Sequence, residues 1–220
     1  MVASLSVDRR VGVLALQGSF REHLEKLTAL GVSSRAVKRS RDLEGLEGLI
    51  LPGGESTALV RLASREGLLE RISAAGRAGL PLFGTCAGLV LLAQIIENSS
   101  QPRLGLLDVT VRRNGFGGQL ESFETRLALD LPGQPGVSFH GVFIRAPQIL
   151  RVGGGVTVLA RLPDDGIAAV RQNNLLAASF HPELTGDTRL HRYFLGMVEE
   201  YAQAAPGPAA RFGLLEASSR

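Results

Sequence analysis

The sequence predicts one α/β domain built as a three-layer sandwich, with a mostly parallel central sheet, helices on both faces and antiparallel additions. Short apolar runs alternate with longer amphipathic stretches through the first hundred residues, which is typical of parallel strands joined by crossover helices. The 220 residues, 45% of them hydrophobic, can bury one substantial core. The 27 glycines suit the tight turns that such a sheet requires.

The first half of the chain divides into short strands and the helices that connect them. The predicted order is strand 11–16, helix 19–30, strands 32–37 and 48–51, helices within 56–77, strand 81–84 and helix 86–97. Right-handed crossovers between parallel strands place such helices on both faces of the sheet.

The second half, from about residue 104 to 181, contains short apolar strands separated by Gly, Pro and Asn turns, which predict the antiparallel additions. A closing helix is predicted at about 187–203. Residues 1–9 and 204–220 are predicted to be flexible ends, the latter because it begins with a Pro- and Gly-rich stretch. The folded domain is therefore expected to span residues 10–203.

The only cysteine, Cys86, lies where a predicted buried strand turns into an apolar helix. Gly84 and Gly88 permit a tight turn that exposes the thiol above the carboxyl ends of the sheet. The positive end of the helix dipole stabilises a thiolate there. The pattern favours a nucleophile over a small packed core residue, which is the alternative for a lone cysteine.

An imidazole and a carboxylate follow the last predicted strand, residues 175–180. Because residues two apart on an extended chain project to the same side, Glu183 can orient one ring nitrogen of His181 while the other faces the cysteine. A His-Pro pair alone is more often a structural loop entry. Its conjunction with the cysteine turn predicts a Cys86–His181–Glu183 triad, the minimum set for covalent acyl transfer.

A glycine pair, Gly53 and Gly54, follows the predicted strand 48–51. Such a loop can turn its backbone amides toward an oxyanion. The alternative, which the segment alone favours, is an ordinary glycine turn capped by Ser56 or Thr57.

These three segments, at residues 52–57, 84–88 and 181–183, resemble class I glutamine amidotransferases, whose glutaminase domains carry a Cys-His-Glu triad. Further stretches resemble more narrowly the glutaminase subunits of pyridoxal 5'-phosphate synthases. They lie at residues 14–18 with 22–23, 113–117, 121–124 and 142–147. The resemblance covers about residues 10–203 in the right order, which makes it far more specific than any single motif.

The resemblance implies that Cys86 is the nucleophile, His181 the general base and acid, and Glu183 its orienting partner. The implied contacts with glutamine are Gly54, Glu55, Ser56, Arg113, Ile144 and Arg145. The backbone amides of Gly54 and Ala87 would form the oxyanion hole. It also implies no cofactor and a separate synthase subunit that receives the ammonia within a large hetero-oligomer. Gly118 departs from the family, which often has a basic residue there.

Three polar side chains have a physical interpretation beside the resemblance. A guanidinium fork suits the α-carboxylate of free glutamine, so Arg113 or Arg145 could hold it. Arg145 interrupts an apolar strand-like run, whereas Arg113 fits a solvated strand edge equally well. Gln17 ends the first predicted strand at the sheet edge where ligands gather, although it could simply cap the following helix.

The other three histidines are expected to have ordinary structural positions. His23 is expected to be a surface or satisfied, partly buried residue, His140 a packed core residue and His191 a solvent-facing one. None has metal-ligand spacing with another His or Cys, so no metal site is predicted.

The net charge and the cysteine content limit which other functions are expected. The net charge is only +3, and the densest basic stretch, 35–41, lacks interleaved aromatics, so nucleic-acid binding is not expected. One cysteine suits a reducing compartment, and no signal peptide or bilayer-length apolar run is recognisable. The sequence thus predicts a cytoplasmic glutaminase. A glutaminase serving another acceptor and a non-catalytic regulatory module are the alternatives.

Overall fold

The computed structural model of the protein describes residues 10–116 and 122–204. The helices in this part of the chain are α1 (Phe20–Ala29), α2 (Ser56–Ala63), α3 (Leu68–Arg77), α4 (Ala87–Leu92) and α5 (Arg189–Ala204). The first six strands are β1 (Val11–Leu14), β2 (Ser34–Val37), β3 (Gly48–Leu51), β4 (Leu82–Thr85), β5 (Ala93–Ile96) and β6 (Leu107–Arg112). The other six are β7 (Ser122–Leu131), β8 (Gln134–Ile144), β9 (Gln148–Val152), β10 (Thr157–Arg161), β11 (Ile167–Gln172) and β12 (Leu175–Ala178).

Five strands form the parallel half of one sheet, in the order β2-β1-β3-β4-β12. Strands β11, β10, β7 and β8 extend it with antiparallel pairings. Strand β9 pairs with β11 and joins a branch made of β6 and β5. This parallel half with antiparallel additions confirms the predicted fold class. The carboxyl ends of β1, β3, β4 and β12 therefore meet at one edge of the sheet.

Side chains alternate across the parallel strands and divide the core into two layers. On β3, Leu49 and Leu51 pack with apolar residues of α2, α3 and α4, whereas Ile50 between them belongs to the layer that contains residues of α1 and α5. On β4, Phe83 contacts Phe194 of α5, with ring centroids 5.6 Å apart. The period of two in a strand thus buries both faces, as expected for a sheet covered by helices on each side.

The predicted helix 86–97 is wrong in its second half. Helix α4 ends at Leu92, and the chain continues as β5, in which Ala93 pairs in parallel with Leu107 of β6. The apolar run from Leu89 to Ile96 fits a buried helix and a buried strand equally well. The available partner strand, which lies later in the chain, decides between them.

Other boundaries shift by one to three residues. The predicted helical region 56–77 is two helices, separated where Glu66 and Gly67 both have positive φ angles. The predicted tail 204–220 is wrong at its first residue, because α5 extends through Ala204. Residues 1–9 and 205–220, and Gly118, lie outside the described residues. None of the described helices combines the length and apolarity that crossing a bilayer requires.

Candidate active site

Cys86 lies at the turn between β4 and α4, as the sequence predicts, but the residue is only 5% exposed rather than open to solvent, and its backbone is strained. Its φ of 48° and ψ of −104° are unusual for a residue with a Cβ atom. Neighbouring backbone packs too closely for larger residues: a Cβ on Gly88 would lie 1.9 Å from the carbonyl oxygen of Leu51, and one on Gly84 would lie 2.6 Å from the Gly88 backbone. The two glycines let the turn pack tightly against β3.

His181 meets the thiol because β12 pairs in parallel with β4, with Ala178 opposite Thr85. Both strands end at the same sheet edge, so the His181 ring and Cys86 line the same pocket, and the thiol lies 3.7 Å from the carbonyl oxygen of Ile144. The other side of the ring faces the next turn of the chain, where His181 Nδ1 lies 2.7 Å from Glu183 Oε1. The hydroxyl of Ser19 donates a second hydrogen bond to the same oxygen at 2.6 Å.

The protonation states of His181 and Glu183 depend on each other. Burial opposes charging of His181, but its interactions with Cys86 and Glu183 outweigh burial and raise the pKa of His181 to about 10. Burial likewise disfavours the carboxylate of Glu183, yet its contacts with His23, His181 and Ser19 lower the pKa of Glu183 to about 2. At neutral pH the pair is therefore imidazolium and carboxylate, and an imidazolium stabilises a neighbouring thiolate.

The glycine loop after β3 borders the pocket that contains Cys86. The carbonyl oxygen of Gly53 accepts a hydrogen bond from the backbone N–H of Ser19 at 3.1 Å. Because the peptide is trans, the N–H of Gly54 points away from that carbonyl. Gly54 and Ala87 both line the pocket that contains Cys86. Two backbone amides beside one thiol can stabilise an oxyanion.

The pocket has a volume of about 310 Å³ and contains all of the predicted site residues except Glu183, which lies behind His181. Its lining includes Gln17, Gly54, Glu55, Ser56, Cys86, Ala87, Val90, Arg113, Asn114, Ile144, Arg145, Pro147 and His181. The polar side chains of this lining can hold the charged end of a small amino acid. Besides Cys86, two other residues of the lining have a positive φ, Asn114 with 49° and Arg145 with 46°.

The side chains of Gln17 and Glu55 are both hydrogen-bonded to backbone N–H groups of the segment that follows β3. Gln17 Oε1 accepts a hydrogen bond from the backbone N–H of Glu55 at 2.8 Å. The Glu55 carboxylate accepts from the backbone N–H groups of Thr57 and Ala58 at 3.0 and 2.6 Å, and so caps α2. Gln17 therefore does not cap the helix that follows it, and its amide lies at the predicted sheet edge.

The sequence offers no signal for Gln101, which comes from the loop before β6. Gln101 Oε1 accepts hydrogen bonds from Arg113 at 2.8 Å and from the hydroxyls of Ser56 and Thr57 at 3.2 Å each. The guanidinium of Arg113 also lies 3.9 Å from Glu55. Gln101 thus fixes Arg113 at the pocket wall, an effect that depends on tertiary contacts rather than on a motif.

The burial predicted for three histidines is wrong. His140 is exposed and pairs with Glu124, because Phe139, Gly141 and Phe143 take the inward positions of β8 and His140 lies on the opposite face. His191 is fully buried instead of solvent-facing and contacts the Phe83 ring edge-on, with centroids 5.8 Å apart. His23 is also fully buried, and its ring lies 3.0 Å from that of His191.

These two buried histidines predict acid destabilisation. Burial lowers the pKa of both below 6.5, that of His191 to about 3, so below pH 6.5 the unfolded chain binds protons that the folded chain does not. Each group then removes up to about 1.4 kcal/mol of stability per pH unit. We expect the free energy of unfolding in urea to fall as pH decreases from 6.5 to 4.5, with a shallower slope in His191→Phe.

The range from pH 6.5 to 4.5 separates the effect of the two buried histidines on stability from the effects of His181 and Glu183. The raised pKa of His181 contributes stability that is complete below pH 6.5 and is lost toward pH 10, and the lowered pKa of Glu183 contributes stability that is lost only between pH 4.5 and 2. A pH-independent free energy of unfolding between 6.5 and 4.5 would contradict the prediction.

A mixed α/β sheet with a cysteine pocket at the carboxyl ends of its parallel strands is the arrangement of a glutamine amidotransferase. The comparison with protein families agrees: residues 13–200 match the profile of the SNO glutamine amidotransferase family. The chain belongs to this family, and it is an enzyme of the glutaminase class.

Named relatives cover nearly the same region. The chain is 53% identical over 186 residues to "Pyridoxal 5'-phosphate synthase subunit PdxT" of Pelotomaculum thermopropionicum, covering 84% of this chain and 93% of that protein. It is 52% identical over 196 residues to the protein of the same name from Geobacillus kaustophilus, covering 89% and 98%. A crystal structure described as a glutamine amidotransferase superposes with a TM-score of 0.80 at 53% identity, covering 86% of this chain and 98% of that one.

Proposed function

We propose that the protein hydrolyses the side-chain amide of L-glutamine through Cys86, His181 and Glu183, and delivers the ammonia to a synthase subunit that makes pyridoxal 5'-phosphate. The observation that carries the proposal is the line of three groups at one pocket. The thiol and the His181 ring line the same pocket, and Nδ1 of this ring lies 2.7 Å from the Glu183 carboxylate. The catalytic domain is proposed to span residues 10–203.

The reaction begins with the thiolate of Cys86, which forms when His181 takes the thiol proton. The sulfur attacks the side-chain carbonyl carbon of glutamine, and the carbonyl electron pair moves onto oxygen. Collapse of this intermediate breaks the carbon–nitrogen bond, and His181 donates its proton to the departing nitrogen, which leaves as ammonia. The product is a γ-glutamyl thioester on Cys86.

Water completes the cycle. His181, now neutral, takes a proton from a water molecule that attacks the thioester carbon. The carbon–sulfur bond breaks and glutamate leaves, which restores the thiolate and the imidazolium. Glu183 stays ionised throughout because its pKa is near 2, and so it keeps the ring oriented in both half-reactions.

The pocket wall supports the proposed substrate contacts. The backbone N–H groups of Gly54 and Ala87 stabilise the negative oxygen of both tetrahedral intermediates. The guanidinium of Arg113 or Arg145 holds the α-carboxylate, and Glu55, Ser56 and Ile144 contact the rest of the amino acid. These residues line the same pocket as Cys86 and His181.

Ammonia needs a receiving partner, because in bulk water it is protonated and loses its nucleophilicity. The relatives at 52–53% identity are named as subunits of pyridoxal 5'-phosphate synthase, which supports a separate synthase subunit as that partner. We propose that the two proteins assemble into a hetero-oligomer in the cytoplasm.

A mixing experiment tests this function. The protein is assayed for glutamate release from glutamine alone and with the synthase subunit of a relative, using glutamine labelled with ¹⁵N in the side-chain amide. We expect glutamate release and transfer of the label into pyridoxal 5'-phosphate in the mixture. Glutamate release without transfer of label would indicate a glutaminase that serves another acceptor. Absence of glutamate release in both assays would refute the proposal.

A further inference from the structure

A buried polar cluster behind the triad contains the second oxygen of the Glu183 carboxylate. Glu183 is 3% exposed, and its Oε1 receives the hydrogen bonds of His181 and Ser19. Its Oε2 is also buried and accepts no hydrogen bond from the described residues. The nitrogen that faces this oxygen is Nε2 of His23, 3.4 Å away.

His23 is itself held by two other elements of the fold. Its Nδ1 lies 3.0 Å from Nε2 of His191 on α5, and its Nε2 lies 3.1 Å from the hydroxyl oxygen of Thr85 on β4. Thr85 directly precedes Cys86. The cluster therefore joins the strand that carries the nucleophile, the turn that carries Glu183 and two helices that pack on the same sheet face.

The contacts of the two rings favour one arrangement of their protons. If His191 Nε2–H donates to His23 Nδ1, the Nε2–H of His23 faces Thr85 and Glu183, and the buried Nδ1 of His191 has only a lone pair without a partner. The opposite arrangement would bury an unpaired N–H at His191 and turn a lone pair of His23 toward the carboxylate. The first arrangement is favoured because an unpaired buried donor and two opposed lone pairs are both destabilising.

We propose that His23 is a positioning residue of the triad: its Nε2–H, fixed by His191 and Thr85, holds the Glu183 carboxylate in the orientation that aligns His181 with Cys86. The proposal rests on the function proposed above. It assigns a mechanistic role to a residue that the sequence places among ordinary helix positions.

The charged and titratable groups around His23 decide what the cluster can do. Glu183 and His181 face it from the segment after β12, His191 from α5, and Glu22 from its own helix; Lys26 of the same helix acts on His191. Burial is the largest cause of the lowered pKa of His23. His23 therefore acts at neutral pH as a neutral N–H donor, and the negative charge of Glu183 stays available to His181.

Replacing His23 tests whether this residue orients the Glu183 carboxylate or only stabilises the fold. In His23→Leu the Nε2–H is lost, Glu183 is free to turn, and the pKa of His181 falls below about 10. We expect kcat for glutamine hydrolysis to fall about 10- to 100-fold, since small misplacements of catalytic groups have effects of this order. KM for glutamine should stay within about twofold. The alkaline limb of the kcat profile should move to lower pH.

The matched variant is His23→Gln, whose side-chain amide can present an N–H close to the position of Nε2. We expect it to recover most of kcat and the wild-type alkaline limb. All rates are normalised to the number of sites that react with a glutamine-mimicking electrophile, so a lower folded fraction does not affect them. If His23→Leu does not fold, the same comparison is made between His191→Phe and His191→Gln.

The outcomes are distinct. If the wild-type protein releases no glutamate, with or without the synthase subunit, the proposed function fails. If the wild type is active and the apolar variant keeps its normalised kcat and its alkaline limb, the role of His23 is refuted. An equal loss in the leucine and glutamine variants would also refute it, because packing alone would then explain the effect.

Discussion

Replacing Cys86 with alanine should abolish glutamine hydrolysis while the fold remains intact. The attacking sulfur has no substitute, so we expect the rate of glutamate release to fall about 10⁴-fold or more, as for other enzymes that lose a covalent nucleophile. Alanine keeps a Cβ at the same strained backbone position, so the thermal midpoint should change little. The measurement is glutamate release at saturating glutamine, together with thermal unfolding.

Two controls make the result specific to the nucleophile. In the complex with a synthase subunit, Cys86→Ala should still support synthesis from added ammonium, because only ammonia generation is lost. Glutamine should also still bind, since the pocket wall that contains Arg113 and Glu55 is unchanged. Residual hydrolysis at wild-type rates would show that another group attacks the amide and would end the assignment.

The parts of this protein that could be predicted from sequence depend on local order along the chain. Cys86 follows a buried strand and is flanked by Gly84 and Gly88, so its position at the turn needs no knowledge of distant residues. His181 and Glu183 follow another buried strand, and their contact needs only extended chain. That these two strands are neighbours is not contained in the local sequence, and the structure supplies it through the parallel pairing of β12 with β4. The catalytic roles of the three residues stay a prediction.

What could not be predicted depends on which partner the fold supplies. Ala93–Ile96 becomes a strand because β6 is available beside it, and the apolar run itself fits either structure. His191 lies near two arginines of α5, Arg189 and Arg192, so the sequence predicts a solvent-facing side chain. Its side of α5 nevertheless packs on Phe83. Gln101 has no motif at all, and only its contact with Arg113 reveals its position.

The other large effect is expected at Gly53, which the sequence associates only with the oxyanion loop. A Cβ atom on Gly53 would lie 2.2 Å from Cε1 and 2.8 Å from Nδ1 of the His181 ring. The ring is held between the sulfur and Glu183, so Gly53→Ala must displace it or move the loop that carries the Gly54 amide. Because a displacement of about 1 Å is worth roughly 10²-fold in rate, we expect kcat to fall by about that factor or more.

A nearby glycine supplies the control for this substitution. A Cβ on Gly186, in the loop that follows the Glu183 turn, would meet nothing within 4 Å, so Gly186→Ala should retain wild-type kcat and KM. Both variants are compared by kcat per electrophile-reactive site and by thermal midpoint. If Gly53→Ala stayed within about threefold of wild type, the His181 ring would not need the space that this glycine leaves, and the alignment of imidazole with thiol would not limit the reaction.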